Sequence, residues 1–176
     1  MKLDLHTHCM EAVSFQPFSV ELASRILEKI QAKGLDGIAI TEHWDRYSGQ
    51  RIKELVDEFF PGQALIIPGQ EIDVGAYQVV ELFLPTGSVF RFLAHPGYVS
   101  ESTLEKTGPL HGIELYNGFH PAIPRDKVRA LAEEHGLLLL SNSDAHYLDH
   151  LGTFYNEISL EELCVRADGA RPDELL

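Results

Sequence analysis

Short β-branched or apolar runs alternate with amphipathic stretches from one end of this chain to the other, and five of the runs end on histidine or acidic residues. Residues 2–7, 37–41, 64–74, 78–84, 92–95, 113–116 and 137–141 read as strands. Residues 19–32, 51–60, 125–135 and 160–166 read as helices. In the first helix Leu22, Ile26, Leu27 and Ile30 share one face, Ser19 can cap the start and Gly34 suits a left-handed stop. Residues 64–74 and 78–84 flank Gly75 and can pair as a hairpin. The stretch 168–176 reads as a frayed tail. Strands alternating with helices predict an α/β domain with a mostly parallel sheet, either open or closed into a small barrel. A length of 176 residues with 44% apolar composition fits one such domain spanning 1–176.

Composition excludes several classes. No apolar run approaches the roughly 18 residues of a membrane span. The opening Met1-Lys2-Leu3-Asp4-Leu5-His6 meets charge and histidine at once, unlike an export signal, so the cytoplasm is the expected location. Cys9 and Cys164 are then expected as free thiols, Cys9 as a small buried residue. The formal net charge of −13 repels phosphate backbones and makes duplex nucleic acid a poor partner. Part of that charge can be functional, since carboxylates that bind cations are neutralised once loaded.

The polar residues gather at the C-terminal ends of the strands. The first run ends Asp4-Leu5-His6-Thr7-His8, the second Thr41-Glu42-His43, the third Gly69-Gln70-Glu71-Ile72-Asp73. A later one ends Ala94-His95-Pro96-Gly97, and the last Ser141-Asn142-Ser143-Asp144-Ala145-His146. Parallel α/β sheets and barrels build their sites at that edge, so five separate segments can converge. Residues i and i+2 of a strand project to one side. His6 and His8 can therefore chelate one ion, as can Asp144 and His146 if their segment stays extended. Imidazole with carboxylate suits zinc, manganese or iron. Seven candidate ligands (His6, His8, His43, Glu71, His95, Asp144 and His146) exceed the three or four of one zinc site, so two or three ions are expected, with Glu71 bridging. Two ions about 3.5 to 4 Å apart can clamp a phosphate and activate a water. Asp4 is expected to orient an imidazole from behind, Glu42 and Asp73 are either supporting carboxylates or plain turn acids, and His111, His135 and His150 are surface or capping residues.

The ordered set Asp4-Leu5-His6-Thr7-His8, Ile40-Thr41-Glu42-His43, Gly69-Gln70-Glu71, Ala94-His95-Pro96-Gly97, Glu114-Leu115-Tyr116-Asn117 and Ser143-Asp144-Ala145-His146 resembles the PHP (polymerase and histidinol phosphatase) superfamily across almost the whole chain. The resemblance implies a distorted barrel of about seven β/α units with a metal cluster, usually trinuclear, at its C-terminal face. It implies a first ion on His6, His8, Glu71 and Asp144, a second shared by Glu71 and His95, and a third on His43 and His146. It further implies a phosphoesterase in which a hydroxide held by the metals attacks phosphorus, so that Glu71 and Asp144 carry the catalysis.

The chain departs from the family pattern twice. After His6-Thr7-His8 the family places a His or Asp five to seven residues on; here only Glu11 is available, and it sits early. Between Glu71 and His95 the family's longer members carry a further His; here Gln78 and Glu81 are the polar candidates, and His120 is a candidate substitute. The chain is compact for the family and is expected to lack part of one β/α unit. Arg125 and Asn117 are candidate phosphate contacts, with Arg46 and Arg51 in the loop after His43. A small phosphorylated substrate is expected, a phosphomonoester or a nucleotide. A non-hydrolytic metal-binding module and a nuclease acting on DNA ends are the alternatives. Oligomeric state is open.

Overall fold

A computed structural model describes residues 1–168. Eight strands form one sheet: β1 (Lys2–Asp4), β2 (Gly37–Ile40), β3 (Leu65–Val74), β4 (Tyr77–Phe83), β5 (Val89–Leu93), β6 (Gly112–Asn117), β7 (Leu138–Asn142) and β8 (Asn156–Glu157). Their order is β7-β6-β5-β4-β3-β2-β1-β8. Neighbours pair in parallel except along β4, which runs antiparallel to β3 and β5, and at β8, antiparallel to β1. Six strands thus share one direction and put their C-terminal ends on one edge.

The sheet curls until its ends nearly meet. The Asn156 side chain bonds the backbone of both Leu3 and Ser141, tying β1 to β7. Beyond the strand ends, Asp144 N–H donates to His6 O at 2.9 Å and His8 N–H to Ala145 O at 3.0 Å. The result is a distorted, nearly closed barrel, as the family resemblance implies.

Helices α1 (Cys9–Ala12), α2 (Val20–Ala32), α3 (Arg46–Phe59), α4 (Glu101–Thr107), α5 (Arg125–His135) and α6 (Leu160–Ala167) surround it. Inward-pointing residues from β1 to β5 and β7 fill the interior: Leu3, Leu5, Ala39, Ile67, Val80, Leu82, Phe90, Phe92 and Leu140. Burying each large one contributes roughly 1.5–3 kcal/mol. Leu163 of α6 joins this cluster, and Asp168 after it bonds Ser88 before β5, so α6 closes the end opposite the strand C-termini. A second cluster lies between strands β2 and β3 and helices α1, α2 and α3, a third under α4 and α5.

Between β3 and β5 the connection is a strand, β4, whereas the parallel neighbours are joined through helices. Gly75 at φ +66° makes the tight turn, with Val74 opposite Tyr77. Helix α3 begins five residues before the sequence pattern places it (46 against 51), because Asp45 caps it through Tyr47 N–H and Ser48 N–H. Gly49 lies inside it, where a Cβ would stand 2.9 Å from Ile40 O, so the glycine allows close packing on the sheet. The sequence pattern also misses α1, α4 and β8, each too short to show a period. Of the expected tail, residues 169–176 lie outside the described residues. Both cysteines are free thiols; Cys9 is buried, and burial pushes its thiol up. No helix among the described residues is long and apolar enough to cross a membrane.

Candidate metal centre

Past the end of β1 the chain stays extended long enough for His6 and His8 to point the same way, with their Nε2 atoms 3.2 Å apart. Two N–H groups cannot face each other at that distance, so at least one nitrogen presents a lone pair. For His6 the choice is set from behind: Glu114 Oε1 lies 3.0 Å from its Nδ1 and accepts that proton, which leaves Nε2 free to bind.

Glu71 enters from β3. Pairing of β2 with β3 continues beyond β2, with Glu71 N–H donating to Glu42 O, Trp44 N–H to Glu71 O, and His43 opposite Glu71. Glu71 Oε2 lies 3.4 Å from the Nε2 atoms of His6 and His8 and 3.1 Å from His43 Nδ1. Its Oε1 lies 2.9 Å from His95 Nε2. This one carboxylate therefore touches four imidazoles, as a bridging ligand would.

Asp144 closes the other side. It takes φ +52°, so its segment is not extended, and although His146 Nδ1 lies 3.6 Å from Asp144 Oδ1 the two residues fall in different groups of donor atoms, not in the one pair that the i, i+2 spacing suggests. Asp144 Oδ1 stands 3.2 Å from His8 Nε2 and 3.5 Å from His6 Nε2. His146 Nδ1 donates to Asp144 O at 3.0 Å, which turns its Nε2 outward. His95 also has positive φ, and Glu114 Oε2 accepts its backbone N–H at 2.7 Å. Positive φ at two non-glycine residues stores strain where the ligands converge.

The outer side is where Glu11 belongs. Short α1 swings its carboxylate to 3.9 Å from His43 Nε2 and 3.5 Å from His146 Nε2. Despite its early place, Glu11 thus reaches the His43 and His146 pair that the family resemblance leaves one ligand short. At this centre donor atoms fall into three groups, each within 4.8 Å: His6, His8 and Glu71; His6, His95 and Asp144; and His8, Glu11, His43 and His146. His8 thus belongs to the outer group as well as the inner one, an association the family analogy does not give.

Buried donors without partners test whether metal ions fit. His8 Nδ1, Glu71 Oε2 and Asp144 Oδ1 are inaccessible and lack any hydrogen-bond partner. Orphaned buried carboxylate oxygens are costly, and here they aim at converging imidazole nitrogens. That arrangement fits divalent cations. Burial would raise Glu71 and Asp144, but His6 and His8 beside them hold both below the usual carboxylate range. Burial would lower His6, but Asp144, Glu71 and Glu114 raise it well above its ordinary value. Such an array of opposite charges is stable with protons or with metal, and not with neither.

Supporting residues differ from the sequence expectations. Asp4 orients no imidazole: its carboxylate accepts from Ser143 N, Ser143 Oγ and Gly152 N, anchoring the loop after β7. Glu42 is buried and accepts the N–H groups of Met10 and Glu11, holding α1; burial pushes it up to about 7. Asp73 accepts from the Trp44 indole. Asn117 is no phosphate contact in this geometry. Its amide donates to Glu114 and Asp144, and its Oδ1 accepts from Phe119 N–H and His120 N–H. Arg125 lies over the Tyr116 ring at 4.5 Å and makes no ion pair with the centre. His120 Nε2 is 3.9 Å from Asp144 Oδ2, on a side chain 52% exposed. Glu81 turns to Arg91 and Gln70. His111 accepts Arg91 N–H, and His135 pairs with Glu101 at the surface.

Glu114 is the site residue whose role sequence reasoning missed. Fully buried, it accepts from His6, Asn142, His95 N–H and Asn117 at 2.7–3.0 Å. The available signal was an acid between Ile113 and Leu115 in an apolar strand.

Residues 122–167 match the family described as PHP-associated. Among solved structures, the chain is similar to a protein from Bifidobacterium adolescentis, provisionally described as a metal-dependent phosphoesterase, with TM-score 0.73 and 13% identity over 94% of this chain and 96% of that one. It is similar to PsfC from Pseudomonas syringae, with TM-score 0.64 and 17% identity over 92% and 86% of the two chains. It is also similar to an amidohydrolase from Chromobacterium violaceum holding sulfate and no metal, with TM-score 0.64 and 13% identity over 94% and 97%. At these identities the likeness is one of fold. No curated protein sequence matches.

Proposed function

We propose that this protein is a metal-dependent phosphoesterase of the PHP type acting on a small phosphorylated substrate; the PHP-associated match over 122–167 and a barrel of the same fold as a protein described as a phosphoesterase support the reading. The observation that carries the reading is the convergence of Glu71 Oε2 and Asp144 Oδ1, both buried and unpartnered, on the nitrogens of His6 and His8.

His6, His8, Glu71, His95 and Asp144 would hold an inner pair of ions, and Glu11, His43 and His146 an outer one. Bound divalent ions supply Lewis acidity for a phosphoryl oxygen and lower the pKa of a water. The chain's own part is preorganisation. Glu114 keeps His6 in the Nδ1–H form, so its Nε2 stays a donor. Asn117 fixes Asp144 Oδ2 at 3.1 Å, which leaves Oδ1 for binding. Among the described residues no lysine or arginine is within ion-pair distance of Glu11, Glu71 or Asp144. Phosphate charge would therefore be met by metals, and a net charge of −13 disfavours a polymer. The non-hydrolytic alternative rests on a missing third-site ligand, and Glu11 stands in that place.

Hydrolysis of a generic aryl phosphate with added Mn²⁺ or Zn²⁺ tests the reading. Glu71→Ala and Asp144→Asn are expected to abolish turnover. A double variant as active as the wild type would overturn the site.

A further inference from the structure

One buried carboxylate stands between the inner and outer halves of the centre. Glu42 is 1% exposed. Its Oε1 accepts Met10 N–H at 2.6 Å and its Oε2 accepts Glu11 N–H at 3.3 Å. These two amides open α1, a four-residue helix whose N-cap, His8, makes no side-chain capping bond. A helix this short does not hold itself together. Glu42 therefore fixes the element that carries Glu11 to His43 and His146.

The same Oε2 lies 4.0 Å from His8 Nδ1. That nitrogen is buried and has no hydrogen-bond partner, while the Nε2 of the same ring faces Glu71 and Asp144. A ligating imidazole commonly gives its other N–H to a carboxylate, which fixes the ring and raises its basicity. No other carboxylate among the described residues lies within ion-pair distance of His8 Nδ1.

We propose that Glu42 is the positioning residue that couples the two halves, holding Glu11 in the outer group and orienting His8 in the inner one through a single carboxylate. The inference rests on the metal-centre reading above. Its consequence is linkage: loss of this carboxylate weakens ions in both halves although Glu42 touches neither.

The test is metal content and affinity, independent of turnover. Wild type, Glu42→Gln, Glu11→Ala and the double variant are titrated with Zn²⁺ against a chromophoric chelator, with bound metal counted by elemental analysis. Glutamine keeps the size and one acceptor but presents an amide where an acceptor is needed. Glu42→Gln is expected to lower outer-ion affinity about 10–100-fold, and to weaken the inner ions in the Glu11→Ala background as well. Wild-type affinity and ion count in Glu42→Gln would overturn the proposal. So would an effect that vanishes once Glu11 is removed, because Glu42 would then only hold α1. A wild-type chain that binds no ion defeats the metal-centre reading itself, and the inference with it. One measurement needs no Glu42 variant: in the zinc-loaded wild type, the His8 Nδ1 proton is expected to be slowly exchanging and shifted downfield by nitrogen-resolved NMR. A rapidly exchanging proton there would overturn the role at His8.

Discussion

His6 and His8 are fully buried, and Glu71 and Asp144 are 1% exposed; His43 is 39% exposed, Glu11 29% and His146 20%. The residue types are the same on both sides, so the surroundings make the difference. The inner donors sit at or just past strand ends, with Asp144 N–H bonded to His6 O and Glu114 behind His6 and His95. Of the outer donors, Glu11 hangs from a short helix and His146 from the turn after Asp144, while His43 stays on the β2–β3 ladder with its side chain turned to solvent. A buried, preorganised group of lone pairs loses little freedom on binding and is costly without a cation. An exposed group is solvated in either state and must be ordered to bind. The inner half is therefore expected to hold its ions tightly and the outer half to exchange its ion with solvent.

The largest effect is expected from breaking the inner half. Removing the bridging carboxylate in Glu71→Ala should lower kcat/KM by about 10³-fold or more, several kcal/mol of charge stabilisation, with loss of inner metal by elemental analysis. If Glu71→Ala kept both inner ions, the bridge assignment would fall. Next comes Glu114, which touches no proposed ion. Glu114→Ala strands four donors, one of them on the proposed ligand His6, and is expected to weaken inner-metal affinity about 10–100-fold. It should also cost about 1–3 kcal/mol of stability, read by urea unfolding with metal removed. Loss of stability with metal affinity intact would reduce Glu114 to a structural residue.

His43→Ala should act on the outer half alone. One ion fewer per chain is expected, with inner content unchanged and activity reduced far less than in Glu71→Ala. Brief dialysis against a weak chelator should reproduce the same state in the wild type. If that treatment strips all ions together, the inner and outer halves are not distinct.

The inner half was more legible in the sequence than the outer. His6, His8, Glu71, His95 and Asp144 end strands whose periodicity is plain, and topology alone brings such ends to one edge. Glu11 was harder to place, because its position depends on α1, whose four residues show no period and which stands on a hydrogen bond from Met10 N–H to Glu42, 32 positions away. The same limit explains Asp4. Its i, i+2 relation to His6 suggests a shared role, yet its partners Ser143 and Gly152 come from the far end of the chain. Arg125 and Asn117 were placed by order along the chain, which fixes the segment and not the direction of the side chain; the Tyr116 ring takes the guanidinium and buried carboxylates take the amide.

The smallest effect separates the centre from the wall behind it. His111 accepts Arg91 N–H at 2.9 Å, so its Nδ1 must stay unprotonated in the folded chain. Burial, and then the Arg91 charge, lower its pKa below the ordinary value. Below about pH 6.5 the unfolded chain therefore takes up a proton that the folded chain refuses, and stability is lost as pH falls from there. With metal removed, unfolding free energy at pH 7.5 and pH 5.5 should differ less in His111→Gln than in the wild type. The two slopes should be compared as a difference, because the protons taken up by His6, His8 and their carboxylates are common to both chains and cancel. An unchanged slope would mean that His111 is solvated enough to titrate normally, and the pH response of the molecule would then belong to the metal centre alone.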